Sequence, residues 1–310
     1  MNDVQPTGPL DERVQAMARG ERVRIIAVRC DAVARRLGEA HDPGPTGAVA
    51  LSRVATAALL LGGTLKDRQQ VGVQLNGDGP LGELYAVADA DGRVRATVAE
   101  PRADVPLGPL GIDLPAGIGQ GRLTIIKRMA EEEPAYQGVI PLVASNVAED
   151  LADYFTRSEQ LPSAVALGET LDSTGISAAG GLLVQMMPGH DEADVEAVEA
   201  AMRALPPLSW FFDQGGTATE LAQRVAADAT ILLHTPVRFQ CNCERERYAR
   251  VLVSMGVQEL TRMREELDVV ECICHFCNTV YRFTQEEMGA LIFGARRFEE
   301  KLRQLQATEN

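Results

Sequence analysis

The sequence contains no long uninterrupted hydrophobic run. Its longest candidate, residues 54–61, falls far short of the roughly 18 apolar residues that a membrane-spanning helix needs. Residues 1–20 are polar and mixed in charge, so they lack the basic start and apolar core of a secretory signal peptide. We therefore expect a cytoplasmic protein without a membrane partner.

Basic and aromatic side chains are also scarce. The chain has 30 Lys and Arg against 44 Asp and Glu, which gives a formal net charge of −14. Such an acidic balance disfavours non-specific binding to nucleic acid or to an anionic membrane, because both attract basic surfaces. Aromatic residues make up only 5%, but the hydrophobic share of 45% is ordinary for a folded protein. The 310 residues suffice for one large domain and one or two small ones.

The chain lacks the common nucleotide-hydrolysis and serine-hydrolase motifs. No G-x-x-x-x-G-K-[S/T] sequence is present, so nothing indicates ATP hydrolysis. Residues 77–82 match the dinucleotide pattern G-x-G-x-x-G, but residues 84–88 are expected to be extended where that site needs a helix. We therefore predict a tight glycine-rich hairpin turn there. No nucleophile-elbow sequence marks a reactive serine, and we expect the protein not to be an enzyme.

Hydrophobic periodicity and turn residues divide the chain into three parts, and the expected fold class is α+β. Residues 1–188 predict a mixed α/β domain, in which Asp31 caps the first helix. Its predicted helices are 31–40, 48–61 and 146–161, and its strands are 23–30, 71–75, 84–88, 94–98, 123–126, 139–143, 164–167 and 176–187.

The remaining sequence predicts a linker and a small domain. Residues 189–236 are expected to form a helical linker, with helices at 191–205 and 217–227. Within it, Trp210, Phe211 and Phe212 are expected to be core side chains that would become exposed surface if the linker were released. Residues 237–310 predict a small zinc-binding domain, built from a helix pair, a cysteine-bearing hairpin and a last helix. A capping box of Thr284 and Glu287 is expected to start that helix.

Five of the six cysteines lie in the last quarter of the chain. Cys241 and Cys243 form a Cys-x-Cys pair, and Cys274 and Cys277 form a Cys-x-x-Cys pair about thirty residues later. Two such pairs are the usual way to build one four-thiolate metal site, because each supplies two ligands from a tight turn. In a reducing compartment, clustered cysteines indicate metal binding or redox chemistry rather than structural disulfides. We therefore predict a zinc site with these four thiolates as ligands.

The spacing leaves the role of the metal open. The C-terminal segment is small and modestly apolar, so a metal would supply much of its folding energy, typically about 10–16 kcal/mol in small zinc domains. The same sulfurs are also the most oxidisable atoms of the chain. The metal could therefore be purely structural, or it could be part of a redox switch.

Three further residues could take part in this site or lie outside it. Cys272 could replace a ligand or be a bystander, since it could face the same way as Cys274 on a strand. His275 lies inside the second pair and is expected to be exposed or to support the site without ligating. Cys30 stands alone at the end of a predicted strand, and we expect it to be buried and inert.

Two other functions fit the cysteine pattern. One is a structural zinc ribbon that could bind nucleic acid, although residues 241–283 hold six Arg against seven Asp or Glu and so show no basic face. The other is a thiol-disulfide oxidoreductase, which normally carries its Cys-x-x-Cys at a strand-to-helix turn early in a parallel sheet. Here that pair comes late, in a predicted hairpin, and has a Cys-x-Cys partner.

Taken together, the motifs resemble one family. The two cysteine pairs, the following Tyr281-Arg282-Phe283, the glycine-rich turn 77–82 and the segments 134–143, 148–155, 158–168 and 178–188 are similar to the bacterial thirty-three-kilodalton heat-shock protein family. The resemblance covers about residues 20–295. It implies an ATP-independent holdase chaperone that binds unfolding client proteins under oxidative stress.

The resemblance also implies how such a chaperone is regulated. The reduced, zinc-bound form would be inactive, and oxidation would form the disulfides Cys241–Cys243 and Cys274–Cys277. Zinc would then leave, the C-terminal domain and the linker would unfold, and clients would bind to an active homodimer. Cys272 departs from the family pattern, because it places an extra thiol beside the second pair.

Overall fold

The computed structural model describes residues 11–109, 111–129 and 135–308, except for the side chains of 298 and 301–308. The first ten residues, part of the segment in which no signal peptide is predicted, lie outside this range. The chain forms two compact units, which meet in sequence between Gln240 and Cys241. The predicted linker, residues 189–236, belongs to the first unit, and its assignment as a linker stays a prediction.

The first unit contains eleven strands and seven helices among its described residues. In chain order these are β1 Glu12–Ala18, β2 Val23–Arg29, α1 Asp31–His41, α2 Pro45–Gly62, β3 Gln70–Gly77, β4 Glu83–Asp89, β5 Arg93–Val98, α3 Leu114–Ile118, β6 Gly121–Arg128, β7 Tyr136–Pro141, α4 Ala148–Tyr154, β8 Ser163–Asp172, β9 Gly175–Met186, α5 Glu192–Ala204, α6 Leu208–Asp213, α7 Ala218–Val225, β10 Thr230–Pro236 and β11 Arg238–Phe239. A π-helical turn, Phe155–Glu159, continues α4.

These strands form two sheets. The first sheet has the order β10-β1-β2-β9-β8 and is antiparallel throughout. The second has the order β11-β5-β4-β3-β6-β7, and only the short β11 runs parallel to its neighbour. The α+β class expected from the sequence is thus confirmed.

Helix α2 occupies the main core, where it packs against strands of both sheets. By length and composition alone it could cross a membrane, but 89% of its apolar window is buried inside the protein. Its hydrophobicity is therefore that expected of a core helix.

The first sheet is buried on both faces. In β2, Ile26 and Val28 point to the core around α2, whereas Val23, Ile25 and Ala27 point to a second core on the opposite face. This alternation follows from the two-residue period of a strand. Helices α5, α6 and α7 cover the second face, with Val198, Phe212 and Leu221 packed against it. The predicted linker helices are therefore a lid on an apolar sheet.

Asp11, rather than Asp31, occupies the N-terminal end of α1. Its two carboxylate oxygens accept the backbone N–H groups of Ala32 and Val33 at 3.0 and 2.9 Å. The predicted cap, Asp31, instead pairs with Arg29 at 2.6 Å and accepts the N–H of Ala179. The cap prediction was wrong because the fold places the carboxylate of Asp11, which is distant in sequence, against the free N–H groups at the start of the helix.

Several other local predictions can be judged against the structure. The glycine-rich segment is a hairpin turn between β3 and β4, as expected, and a Cβ on Gly77 would lie 2.0 Å from the carbonyl oxygen of Ile118. Three strands were not predicted, β1, β10 and the short β11, and β10 shows that the segment 189–236 is not wholly helical. Trp210 is 55% exposed, which contradicts its prediction as core, although Phe211 and Phe212 are buried.

The second unit is small. It comprises α8 Arg245–Ser254, α9 Val257–Glu266, β12 Val269–Ile273, β13 Val280–Thr284 and α10 Gln285–Thr308. Its described core is one cluster of the buried residues Leu252, Leu260, Val270, Phe283, Met288, Ile292 and Ala295. The predicted capping box is present: Glu287 accepts the N–H of Thr284 at 2.9 Å, and the Thr284 hydroxyl accepts the N–H of Glu287 at 3.3 Å. So modest a core leaves this unit in need of another source of stability.

Candidate metal centre

The four predicted ligands lie on two short loops of the second unit. Cys241 and Cys243 directly precede α8, and Cys274 and Cys277 lie in the turn between β12 and β13. That turn is closed by backbone hydrogen bonds from Cys274 to Thr279 at 3.0 Å and from Asn278 to Cys274 at 2.8 Å. Asn278 has a φ of 54°, a left-handed conformation that asparagine tolerates better than most residues. The hairpin thus fixes the second pair of thiols.

The structure brings all four sulfur atoms together. They lie within 4.8 Å of one another, and two close pairs join the two motifs: Cys241 to Cys274 at 3.6 Å and Cys243 to Cys277 at 3.3 Å. Four thiolates around one zinc ion, with bonds of about 2.3 Å, would be about 3.8 Å apart. The donor set and its spacing therefore fit a tetrahedral four-thiolate metal site. All four cysteines are free thiols here.

Burial and neighbouring groups shift the pKa values of Cys241, Cys243 and Cys274. Burial, together with hydrogen bonding to its cysteine neighbours, raises the pKa of Cys241 well above its usual range. Burial also raises the pKa of Cys243. For Cys274, burial is outweighed by hydrogen bonds from the Tyr248 hydroxyl and from the N–H groups of Phe276 and Cys277, which lower its pKa to about 6. One sulfur is thus readily a thiolate, and a divalent cation would favour the same state for the others.

Two tyrosines contact this cluster, and the sequence analysis did not single them out as parts of the site. The Tyr281 hydroxyl lies 3.2 Å from the Cys243 sulfur and 2.9 Å from the Cys243 carbonyl oxygen. The Tyr248 side chain interacts with Cys274, which contributes to raising the pKa of the tyrosine and to lowering that of the thiol. The available sequence signal was weak: each cysteine pair is followed within five residues by a tyrosine.

The other candidate residues lie outside the four-sulfur cluster. Cys272 is half-buried on β12, directly opposite Tyr281 in the hairpin, and burial raises its pKa. His275 is exposed, as expected. Cys30 is buried in the first unit, with its sulfur 3.2 Å from the Thr56 hydroxyl, and burial raises its pKa well above its usual range. An inert core thiol is what the sequence predicted for Cys30.

Charged contacts hold the lid helices α5–α7 to the first sheet. The buried carboxylate of Asp194, at the start of α5, pairs with Arg19 and Arg22 from the β1–β2 turn. Arg29, buried on β2, donates to the carbonyl oxygen of Gly216 and lies 5.7 Å from the ring centre of Phe212. The lid is thus fixed at its start and near its middle by groups of the sheet that it covers.

The fold and the site define an α+β protein with a four-cysteine centre in a small C-terminal unit. A family model described as "Hsp33 protein" matches residues 11–284. The chain therefore belongs to the Hsp33 family and is a chaperone by that membership.

Individual relatives agree with this assignment. The "33 kDa chaperonin" of Desulforamulus reducens is 37% identical over 94% of this chain and 99% of its own length. That of Syntrophotalea carbinolica is 39% identical over 84% of this chain and 91% of its own length. The crystal structure of the 33 kDa chaperonin from Thermotoga maritima superposes with a TM-score of 0.87 at 28% identity, covering 94% of this chain and all of that one.

Proposed function

We propose that this chaperone is an ATP-independent holdase that an oxidant activates through the centre formed by Cys241, Cys243, Cys274 and Cys277. The observation that carries the proposal is the convergence of these four thiols in a unit with a modest core of its own. A unit held together by oxidisable atoms loses its stability when those atoms react. The same centre can therefore be both structural support and switch.

Zinc is the metal that best suits the donor set. Four sulfur donors with no nitrogen or carboxylate partner favour a soft or borderline ion in a closed tetrahedral site. When bound, zinc would supply the positive charge that keeps all four sulfurs ionised and close together. The residues themselves provide the rest: a hairpin that fixes Cys274 and Cys277, and a loop before α8 that presents Cys241 and Cys243.

Oxidation would convert the four thiols into two disulfides. Each disulfide removes two electrons from a pair of thiolates, and one hydrogen peroxide takes them up with two protons from the solvent to give two water molecules. The family resemblance supports pairing within each motif, Cys241 with Cys243 and Cys274 with Cys277. Such pairing severs the link between the motifs, whereas disulfides joining Cys241 to Cys274 and Cys243 to Cys277 would preserve it. Disulfide sulfurs no longer carry the charge that holds a cation, so metal affinity is lost.

Unfolding of the second unit would then reach the lid through the chain itself. Phe239, in β11, lies two residues before Cys241, and β10 lies directly before β11. Release of α5–α7 would expose the second face of the first sheet, which carries Val14, Ile25, Leu182, Val184 and Met186. We assign client binding to this apolar face and to the freed faces of the lid helices, which include Val195, Val198 and Met202.

We further propose an oligomeric state, a compartment and a class of partner for the active protein. The active form would be a homodimer in the cytoplasm, and its clients would be unfolded or partly folded proteins. A net charge of −14 would help to keep a half-unfolded chaperone soluble. Neither nucleic acid nor a membrane is a proposed partner.

The test compares the reduced and oxidised protein. Suppression of thermal aggregation of a client is measured without ATP, before and after peroxide treatment at mild heat, while released zinc and remaining thiols are counted in parallel. The expected result is activity only after loss of one zinc and four thiols. Cys272→Ser serves as the matched control and should behave like the unmodified protein. Equal activity in both states would contradict the switch and leave a structural zinc centre in its place.

A further inference from the structure

Two tyrosines cross between the cysteine motifs. Tyr248 follows the first motif, on α8, yet its side chain interacts with Cys274 of the second. Tyr281 follows the second motif, on β13, yet its hydroxyl donates toward the sulfur of Cys243 in the first, at 3.2 Å. Each motif is therefore contacted by the tyrosine that follows the other.

The two rings also contact each other. Their centroids are 4.9 Å apart, with an angle of 29° between the ring planes, which is a stacked arrangement. Both side chains are half-buried and pack against the core of the second unit. A tyrosine in this position presents an apolar ring to the core and a polar end to the sulfurs. The pair thus joins the hydrophobic core to the cysteine cluster.

We propose that Tyr248 and Tyr281 are positioning residues of the cysteine centre that hold the two motifs together and moderate their reaction with oxidants. This inference rests on the proposed function, since it concerns the regulation of the same site. A hydrogen bond donated to a thiolate draws charge from the sulfur and so stabilises it against loss of electrons. The Cys243 sulfur accepts such a bond from Tyr281, the Cys274 sulfur interacts with Tyr248, and the stacked rings resist separation of the two motifs.

The two roles call for different substitutions. Tyr→Phe removes the hydroxyl and keeps the stacked ring, so it isolates the hydrogen bond. Tyr→Leu removes the stack as well. A single hydrogen bond is worth enough free energy to change a rate by about two- to tenfold. Tyr136, which is exposed on β7 of the first unit, offers a matched Tyr→Phe control.

The experiment uses the full-length, reduced, zinc-loaded protein. Peroxide is added at mild heat, zinc release is followed with a chromogenic chelator, and the loss of each thiol is followed by alkylation and mass spectrometry. We expect Tyr248→Phe and Tyr281→Phe to lose thiols about two- to tenfold faster than Tyr136→Phe. The acceleration should be greatest at Cys274 in the first variant and at Cys243 in the second, with an unchanged zinc content before oxidation.

Two results would overturn the inference while leaving the proposed function intact. One is thiol loss at the control rate in both variants. The other is acceleration spread evenly over all four cysteines, because a general loosening of the unit gives no site preference.

A different result would count against the proposed function itself. If the unmodified reduced protein carries no metal, the zinc centre fails, and the tyrosine pair is then judged by backbone hydrogen exchange in residues 245–284. Faster exchange in the Tyr248→Leu/Tyr281→Leu double variant than in Tyr136→Leu supports the pair as a brace. Equal exchange overturns it.

Discussion

Asp194 and Arg22 form a charged contact in which Oδ2 of the aspartate lies 2.6 Å from Nε of the arginine and Oδ1 lies 3.2 Å from Nη2. Arg19 pairs with the same carboxylate, which is fully buried, and the N–H of Arg19 is bonded to Asp228 at 2.8 Å. One turn of the first sheet, between β1 and β2, therefore holds both the start of the lid and the segment after α7.

We predict that Asp194→Asn weakens the lid without affecting the metal centre. The amide keeps the shape of the side chain but loses the charge that faces two guanidinium groups. Aggregation assays should show partial chaperone activity before oxidation, with full zinc content, and proteolysis within 192–225 should become faster. Glu196→Gln, on the exposed side of the same helix, is the control. A fully inactive reduced Asp194→Asn protein would show that this contact does not restrain the lid.

The same contact should not respond to physiological pH. Hydrogen bonds from Arg22 and Arg19 hold the pKa of Asp194 well below its usual range. Stabilisation from a carboxylate of lowered pKa is present above the unfolded value of about 3.9 and is lost only as the pH falls below it. Protonation of Asp194 should therefore not release the lid between about pH 5 and 8. The low chaperone activity of the reduced protein should not change over that range because of this carboxylate.

Asp11 should contribute a pH dependence of stability that is opposite in sign to that of Asp194. Burial raises its pKa to about 6, assisted by the nearby Asp31 and opposed by the N–H groups of Ala32 and Val33 and by Arg35. A carboxyl of raised pKa contributes most below the unfolded value of about 3.9, and its contribution is lost as the pH rises through the folded value. The free energy of unfolding of the first unit should thus fall with rising pH between about 4 and 6, by up to about 1.4 kcal/mol per pH unit.

Denaturant titrations at several pH values test this expectation. Asp11→Asn should flatten the pH dependence, because its amide does not titrate, whereas the exposed Asp67→Asn should leave it unchanged. An identical slope in the Asp11 variant and the unmodified protein would refute the assignment.

The lid should depend on Phe212 and not on its neighbour Trp210. The Phe212 ring is fully buried and lies against Gly180 of β9, where even an added Cβ would be 2.4 Å from it. Phe212→Ala should cost about 3–5 kcal/mol, the usual range for a large aromatic residue in a core. Because the loss falls on the contact between lid and sheet, chaperone activity should appear in the reduced protein.

Trp210→Ala is a matched control on the same helix, because that side chain is largely exposed. It should leave both stability and reduced-state inactivity nearly unchanged. Chemical denaturation and the aggregation assay measure the two effects, and similar behaviour of the two variants would contradict this division of roles.

Removal of the metal should unfold the second unit. A chelator applied to the reduced protein withdraws a contribution typical of small zinc domains, about 10–16 kcal/mol, from a unit with a small core. Cys274→Ser should have the same effect, whereas Cys30→Ser should not, since Cys30 lies buried in the first unit. Loss of helical signal and of hydrogen-exchange protection in 245–284 measures the outcome. Full protection in the metal-free protein would contradict it.

The sequence predicted most of the regular elements because their patterns are local. The strand pairs around 77–82 and 269–283 carry their own turn residues, and the capping box at Thr284 needs only its neighbour Glu287. The cysteine cluster was equally easy to predict from the sequence, since closely spaced cysteine pairs usually indicate metal binding or redox chemistry.

The failures share a different cause, which is dependence on distant residues. Strand β1 contains Arg13, a fully buried arginine whose guanidinium bonds carbonyl oxygens of Leu59, Asp89 and Ala90. A buried charged residue breaks the alternation of apolar and polar residues by which a strand is predicted, unless its hydrogen-bond partners are known. Strand β10 exists because β1 offers it an edge, and Asp11 caps α1 because the fold brings it there. The tyrosine pair likewise forms only when the two motifs meet.

The placement of β10 has a consequence for how reversible the lid can be. The chain leaves the first sheet at Met186, the end of β9, and rejoins it at Thr230, the start of β10. Strands β9 and β10 are three positions apart in the sheet, or roughly 14 Å. A lid released while β10 remains paired would be a loop tethered at both ends, with a high effective concentration for its own docking site. Re-closure would then be an intramolecular step that needs no diffusional search. A bound client would therefore compete with a lid that stays attached beside its docking site.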